Sequence, residues 1–262
     1  MKKILTAAAS ALMFLFVGSG AAIAQDEEEA EGPTFVPVEA FACNFNDGKG
    51  PEDLAAVVAD WNAWMDEQGA NDYSAITLWP NFYGQRNFDV GWLGVWPDGN
   101  AMGAGMDSWM ANGAEMASGF DAVLDCGSHT QFATVRIKEP DESNDDGDDS
   151  FVLSFSNCSF EEDATMDQLS AAQKEWNAYA DEHGFIGGSW MMWPVWGESA
   201  DADYDFKSVS SAPNYTALGA NWAKFADGHY EKSNELFEDL LDCDSARVYT
   251  AMVERSAEDD DD

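Results

Sequence analysis

The chain has 262 residues, 45% of them hydrophobic, and carries 12 basic against 50 acidic side chains, a formal net charge of −38. That balance excludes nucleic acid and anionic membrane surfaces as partners, because both need a basic footprint. Three acidic tracts, 26–31, 139–149 and 258–262, hold 17 of the acidic residues; solubility in a salty medium accounts for them, with divalent-cation binding by the tails as the alternative.

In chain order, Lys2-Lys3, the apolar stretch Ile4 to Val17 and the small-x-small site Ala22-Ile23-Ala24 predict a signal peptide over 1–24 and an exported protein, periplasmic or secreted. No cysteine follows the cleavage point, so no lipoprotein anchor is expected, and no later segment has the length and apolarity of a membrane helix. An acidic tail, 25–34, precedes an extended run over Phe35–Phe45. Pro51 with Glu52-Asp53 then opens a helix, with proline in the first turn and acids at the positive end of the dipole. Leu54, Val57, Val58, Trp61, Trp64 and Met65 give it one apolar face, and Gly69 stops it. Tyr73–Tyr83 and Phe88–Trp96 read as an antiparallel pair. Pro97-Asp98-Gly99-Asn100 reads as a turn, and a second helix should run to about Cys126, weakened by Gly103, Gly105, Gly113 and Gly119. Thr130–Lys138 is a final strand. Residues 139–150 contain no apolar side chain and read as a flexible linker; an EF-hand fails there, since Leu153 falls where the bidentate acid belongs.

The chain then repeats itself. Cys43, Trp61-Asn62-Ala63-Trp64 and Asp66-Glu67-Gln68-Gly69 return as Cys158, Trp176-Asn177-Ala178-Tyr179 and Asp181-Glu182-His183-Gly184. Trp79-Pro80 returns as Trp193-Pro194, and Leu124-Asp125-Cys126 as Leu241-Asp242-Cys243. A period of this length is a duplicated domain rather than a solenoid unit. Elements are expected at Phe151–Phe160, Met166–His183, Ser189–Trp196, Tyr204–Ser211, Thr216–Leu241 and Arg247–Glu254, with an acidic tail over 256–262. Both halves, 35–138 and 151–255, thus read β-α-β-β-α-β, the ferredoxin-like order. The expected fold is α+β: two tandem ferredoxin-like units packed as an intramolecular pseudo-dimeric barrel, and hence a monomer.

Each half owns one early and one late cysteine, so the repeat selects the disulfides Cys43–Cys126 and Cys158–Cys243 among three pairings. In the chain-entropy model each closure is worth about 4 to 5 kcal/mol. Close cysteine spacing for a metal is absent, and His129, His183 and His229 share no spacing, so no metal is expected.

This tandem β-α-β-β-α-β order resembles the dimeric α+β barrel superfamily, which includes antibiotic-biosynthesis-type monooxygenases and stress-responsive barrel proteins. The resemblance covers nearly the whole mature chain and rests on element order and duplication. It implies a barrel of two sheets packed face to face. Haem-degrading members combine a strand-one Asn, a Trp and a helix-two His. Here Asn44 and Trp92 stand in one half and His229 in the other, so the set is incomplete and no cofactor is expected.

Trp92 and Trp96 share a strand face, and their counterparts Ser208 and Ala212 are small. With Trp79 and Phe82 they could line an apolar pocket, although aromatic side chains also serve as plain core. Trp61 and Trp176 read as core, and the Asn62/Asn177 pair as amides hydrogen-bonded to backbone. Features confined to one half, chiefly Trp92, Trp96 and Arg86 in the first and His229 in the second, are where function would reside. Nucleophile elbows and phosphate loops are absent. The expectation is a non-catalytic barrel binding a small apolar or aromatic ligand, or an envelope or stress-related component. The alternative is a cofactor-independent monooxygenase-like enzyme acting on a small aromatic substrate.

Overall fold

Alternating apolar residues in strands from both halves build one barrel wall. The computed structural model describes residues 34–140 and 150–257. The expected signal peptide, most of the 25–34 tail, linker residues 141–149 and residues 258–262 lie outside the described residues. Strand β1 spans Val36–Phe45, helix α1 Pro51–Gln68, β2 Ser74–Phe82, β3 Val90–Val95, α2 Gly99–Asn112, α3 Ala114–Asp121 and β4 Leu124–Lys138. They are followed by β5 Ser150–Phe160, α4 Met166–Glu182, β6 Ser189–Trp196, β7 Phe206–Ala212, α5 Tyr215–Lys224, α6 Tyr230–Phe237, β8 Leu241–Cys243 and β9 Arg247–Arg255.

The sheet order is β7-β6-β4-β1-β3-β2-β9-β5, and β5 pairs back onto β7, closing an antiparallel barrel of eight strands. The short β8 adds to β5 alongside β9. Closure removes the exposed edges that an open sheet would present. Strands 36–138 sit together as β4-β1-β3-β2 and strands 150–255 as β9-β5-β7-β6. Two seams, β4–β6 and β2–β9, join these sets.

Period-two alternation sorts the side chains. Val38, Leu78, Leu93, Phe132, Leu153, Phe155, Met192, Val209, Tyr249 and Ala251, drawn from all eight barrel strands, fill the interior. The opposite face takes the helices. On α1, Leu54, Val58, Trp61 and Met65 pack with Cys43, Tyr73, Val90 and Trp96, and Leu169 of α4 packs with Cys158, Met191 and Phe206. Burying Trp61 or Leu169 contributes about 1.5 to 3 kcal/mol each. Asn62 Nδ2 donates to the Glu254 carbonyl at 2.9 Å and Asn177 Nδ2 to the Ile137 carbonyl at 2.8 Å, so each helix is tied to a strand end by the same amide contact.

The expected second helix of each half is broken. In the first half Gly113 separates α2 from α3, and its lack of a Cβ leaves room for the Trp109 ring, which packs edge-on against Trp64; a Cβ there would lie 2.6 Å from that ring. Asp98, expected in a turn, caps α2 by accepting from the Asn100 and Ala101 amides. In the second half a π-helical turn, Phe225–His229, interrupts the run at Gly228, whose φ of 109° favours glycine. Cys126 and Cys243 therefore lie on strands rather than at helix ends. Cys43 faces Cys126 across β1–β4 and Cys158 faces Cys243 across β5–β8, with sulfur separations of 2.02 and 2.05 Å.

Candidate functional site

The barrel interior is filled toward Val36, Ile76, Val95 and Phe151 and hollow toward Ala42, Gly91 and Lys207, its open end. The open end holds a cavity of about 540 Å³ with Leu78, Phe88, Leu93, Phe132, Phe155 and Tyr249 among its walls, within the range of small-molecule sites. A second hollow of about 320 Å³, including Arg86, Asn157, Lys207 and Arg247 in its lining, opens beside it, and Phe88, Lys207, Arg247 and Tyr249 line both. Phe88 stacks on Tyr249 at 6.0 Å and 9°, and Phe155 meets Tyr249 edge-on at 5.6 Å, which gives the cavity one aromatic side.

Strand parity places the polar groups. Val209 and Tyr249 point into the barrel, so Lys207 and Arg247, two positions back, point the same way at the open end. Asn157 lies opposite Lys207 in the β5–β7 register and Arg247 opposite Phe155. Lys207 Nζ donates to Asn157 Oδ1 at 2.8 Å and sits 4.1 Å from the centre of the Tyr204 ring. Among the described residues it has no carboxylate within ion-pair distance. Burial, reinforced by Arg247, pushes the Lys207 ammonium down from 10.5 to about 8, against the pull of Glu198 and Asp244. Arg247 is held by Asp244 at 2.5 Å, and the same carboxylate accepts from the Asn157 amide at 2.7 Å. Tyr204 donates to Glu198; burial first, and then that carboxylate, hold its hydroxyl well above the usual phenol range. The arrangement is an aromatic pocket ending in an easily deprotonated ammonium and a fixed guanidinium.

A second polar group lies behind the sheet. Tyr73 donates to Glu39 Oε1 at 2.7 Å and accepts from Trp92 Nε1 at 3.0 Å, and His129 Nε2 lies 2.8 Å from Glu39 Oε2. Burial and the Glu39 charge raise the Tyr73 hydroxyl well above its ordinary value. Its ring rests on Gly94, where a Cβ would come within 1.9 Å of the hydroxyl.

The residues singled out from the sequence are not gathered around one cavity. Trp92 and Trp96 do share a face, but it is the helix face. Trp96 is 5% exposed against Tyr73, and Trp92 meets Trp61 edge-on at 5.2 Å. Trp79 packs on that same side, where its Nε1 donates to Thr77 Oγ1 at 3.1 Å. Phe82 is 61% exposed beside Tyr215. Asn44 is exposed on β1 opposite Asp125. Arg86 does line the mouth, paired with Asp89 at 2.8 Å. His229 is on the far helix layer, its Nδ1 2.6 Å from the Tyr179 hydroxyl and its ring packed against His183 and Phe185. Asn44, Trp92 and His229 thus belong to separate places, and these residues do not fit a haem site. Among the described residues no group of three or more His, Cys, Asp or Glu could hold a metal ion.

Sequence reasoning missed Lys207, Arg247, Asn157 and Tyr249. The available signal was parity: Lys207-x-Val209, Arg247-x-Tyr249 and Phe155-x-Asn157 extend the apolar inward positions to the strand ends.

No family model matches the chain, and no curated protein does. Among solved structures, a protein provisionally assigned as a chlorite dismutase is similar with a TM-score of 0.52 at 11% identity, covering 84% of this chain and 95% of that one. A provisionally assigned monooxygenase from Lactobacillus acidophilus gives 0.51 at 13%, covering 85% and 95%. An anthrone oxidase-like protein gives 0.51 at 9%, covering 86% and 96%. At these identities the likeness shows the fold alone, an α+β barrel.

Proposed function

We propose that this chain is a cofactor-independent, monooxygenase-like enzyme that acts on a small aromatic substrate held at the open end of its barrel. One observation carries the reading: an aromatic-walled cavity of about 540 Å³ ends in a mostly buried lysine that titrates near 8. Oxygenation without a cofactor needs a substrate anion electron-rich enough to reduce oxygen directly, and hence a base with a pKa near the working pH. Neutral Lys207 accepts the proton, the anion adds oxygen to give a peroxide anion, and Lys207 returns its proton to make the hydroperoxide. Loss of water from that hydroperoxide leaves the carbonyl product, so one oxygen atom enters the product and one leaves as water. Fold likeness to a monooxygenase and to an anthrone oxidase-like protein supports this choice over a purely binding role.

The same proposal includes export, a tandem duplication and a monomer. The repeated motifs and the like order of elements in 36–138 and 150–255 support the duplication. A barrel closed within one chain supports the monomer, and sedimentation at twice the chain mass would count against it.

Oxygen uptake measured with anthrone and with a panel of hydroquinones tests the activity. Turnover that rises through about pH 8 and is lost in Lys207→Met is expected. Binding without turnover across the panel refutes the enzymatic reading, and absence of both refutes the cavity as the site.

A further inference from the structure

We propose that the open end of the barrel is built to seat an ionised oxygen carried by an aromatic ring, with Lys207 and Arg247 as its two cationic walls. The inference rests on the cavity being the ligand site. It adds the chemical class of what enters.

Only 12 of 262 residues are basic in a chain of net charge −38, yet three of them, Arg86, Lys207 and Arg247, line the small hollow that opens into the cavity. Arg86 and Arg247 have their own acids, Asp89 and Asp244. Lys207 does not: its Nζ has the neutral Asn157 oxygen and the Tyr204 ring. A buried ammonium without a counter-ion is costly, and in so acidic a protein many carboxylates were available to neutralise it. Asp244 shows how the surroundings are arranged. It holds the guanidinium and the Asn157 backbone, which in turn fixes the side-chain oxygen facing Lys207. Glu198, whose charge acts most strongly on Lys207 and which also lines the cavity, accepts the Tyr204 hydroxyl and makes no ion pair with the lysine. The missing negative charge is thus supplied from the cavity side, where Phe88, Phe155 and Tyr249 offer ring faces and edges. A planar ring between those aromatics, with its oxygen toward Lys207 and Arg247, completes the ion pair that the chain leaves open.

Two sources of such an oxygen exist, a carboxylate and a phenol, and they leave different proton signatures. Lys207 is about half protonated at pH 8. A carboxylate arrives ionised and draws the lysine to full charge, so binding takes up about half a proton at that pH. A phenol arrives neutral and ionises on binding, so its proton more than fills the lysine and about half a proton is released.

The experiment is isothermal titration calorimetry of the full chain at pH 8 in two buffers of different ionisation enthalpy. The probes are naphthoate, naphthol and the uncharged methyl ether of naphthol. An ionisable probe binding about tenfold or more tightly than the ether, weakening with added salt, supports the proposal; proton uptake identifies the carboxylate and release the phenol. Lys207→Met and Arg247→Met should each erase that preference while leaving ether binding in place, which also shows that the variants fold. Equal binding of all three probes overturns the anion seat but leaves the cavity as a ligand site. Binding of none overturns both.

Discussion

Lys207→Met should make the protein more stable at neutral pH, and the gain should disappear in alkali. The lysine titrates at about 8 in the folded chain against 10.5 when free. At about 1.36 kcal/mol per unit, the folded state loses about 3 kcal/mol by carrying this group charged. Asn157 Oδ1 loses its donor in the variant, which returns about 1 kcal/mol, leaving a net gain of about 2 kcal/mol. The sign follows from proton counting. Between pH 8 and 10.5 the unfolded chain binds the extra proton, so wild-type stability rises with pH through that window. Below about 8 the whole penalty is present; above about 10.5 both states are neutral and it vanishes. Urea denaturation of both proteins at pH 7, 9 and 10.5 measures the difference directly. A difference that stays constant with pH, or a less stable variant at pH 7, would refute the assignment of Lys207 as a buried, unneutralised charge. Loss of ligand binding alongside a gain in stability would be the trade between function and stability expected of a working site.

Three further outcomes are expected. Tyr73→Phe strips Glu39 and Trp92 of a shared hydrogen-bond partner inside the helix layer and should cost about 1 to 3 kcal/mol in denaturant unfolding; a cost below about half a kcal/mol would mean the buried network is not satisfied as described. Gly94→Ala drives a methyl group into the Tyr73 ring and should destabilise by about 1 to 3 kcal/mol in wild type, and by clearly less in a Tyr73→Leu background, the double-mutant cycle being the check. Replacing Cys158 and Cys243 by serine opens a connection spanning 85 residues and should cost about 2 to 5 kcal/mol, read as a lower midpoint that matches the wild type under reduction once the corresponding Cys43–Cys126 bond is also removed.

What was legible in the sequence was whatever repeats or alternates. The apolar face of α1, its start at Pro51 and its stop at Gly69, whose φ is 64°, are local facts of propensity and spacing. The cysteine partners followed from the repeat, because each half had one early and one late cysteine. The broken helices were half legible: four glycines were visible as weaknesses, but only Gly113 lies under the Trp109 ring that reaches Trp64, a tertiary contact. The site was least legible, for a geometric reason. Trp92 and Trp96 were rightly placed on one strand face, yet a face becomes interior or exterior only when the sheet closes. Closure turned theirs toward α1 and turned Lys207 and Arg247 inward. The largest aromatic side chains pack in the helix layer, while the cavity is marked by modest residues at strand ends.

The difference between the two halves explains why the cavity exists at all. The residue before Cys43 is Ala42, paired with Gly91; the residue before Cys158 is Asn157, paired with Lys207. Three positions before each cysteine, Ala40 faces Thr130 and Phe155 faces Arg247. Ala40, Ala42, Gly91 and Thr130 border the same cavity as Phe155, Lys207 and Arg247. One half therefore contributes small side chains at the positions where the other contributes a ring, an amide and two cations. With the small set in both halves, the open end would be wide and featureless; with the large set in both, two lysines and two arginines would crowd one mouth and repel each other. Space from one half and charge from the other make a one-sided pocket, and such a pocket orients a ring with its oxygen toward β5, β7 and β9. Enlarging Gly91 is the direct probe of that division, because a methyl group there meets Leu78 at 3.2 Å and intrudes on the space without touching the cations. Gly91→Val should weaken binding of the charged and the uncharged naphthalene probes alike, whereas Lys207→Met should weaken only the charged ones; a Gly91→Val variant that selectively loses the charged probes would show that space and charge are not divided between the halves in this way.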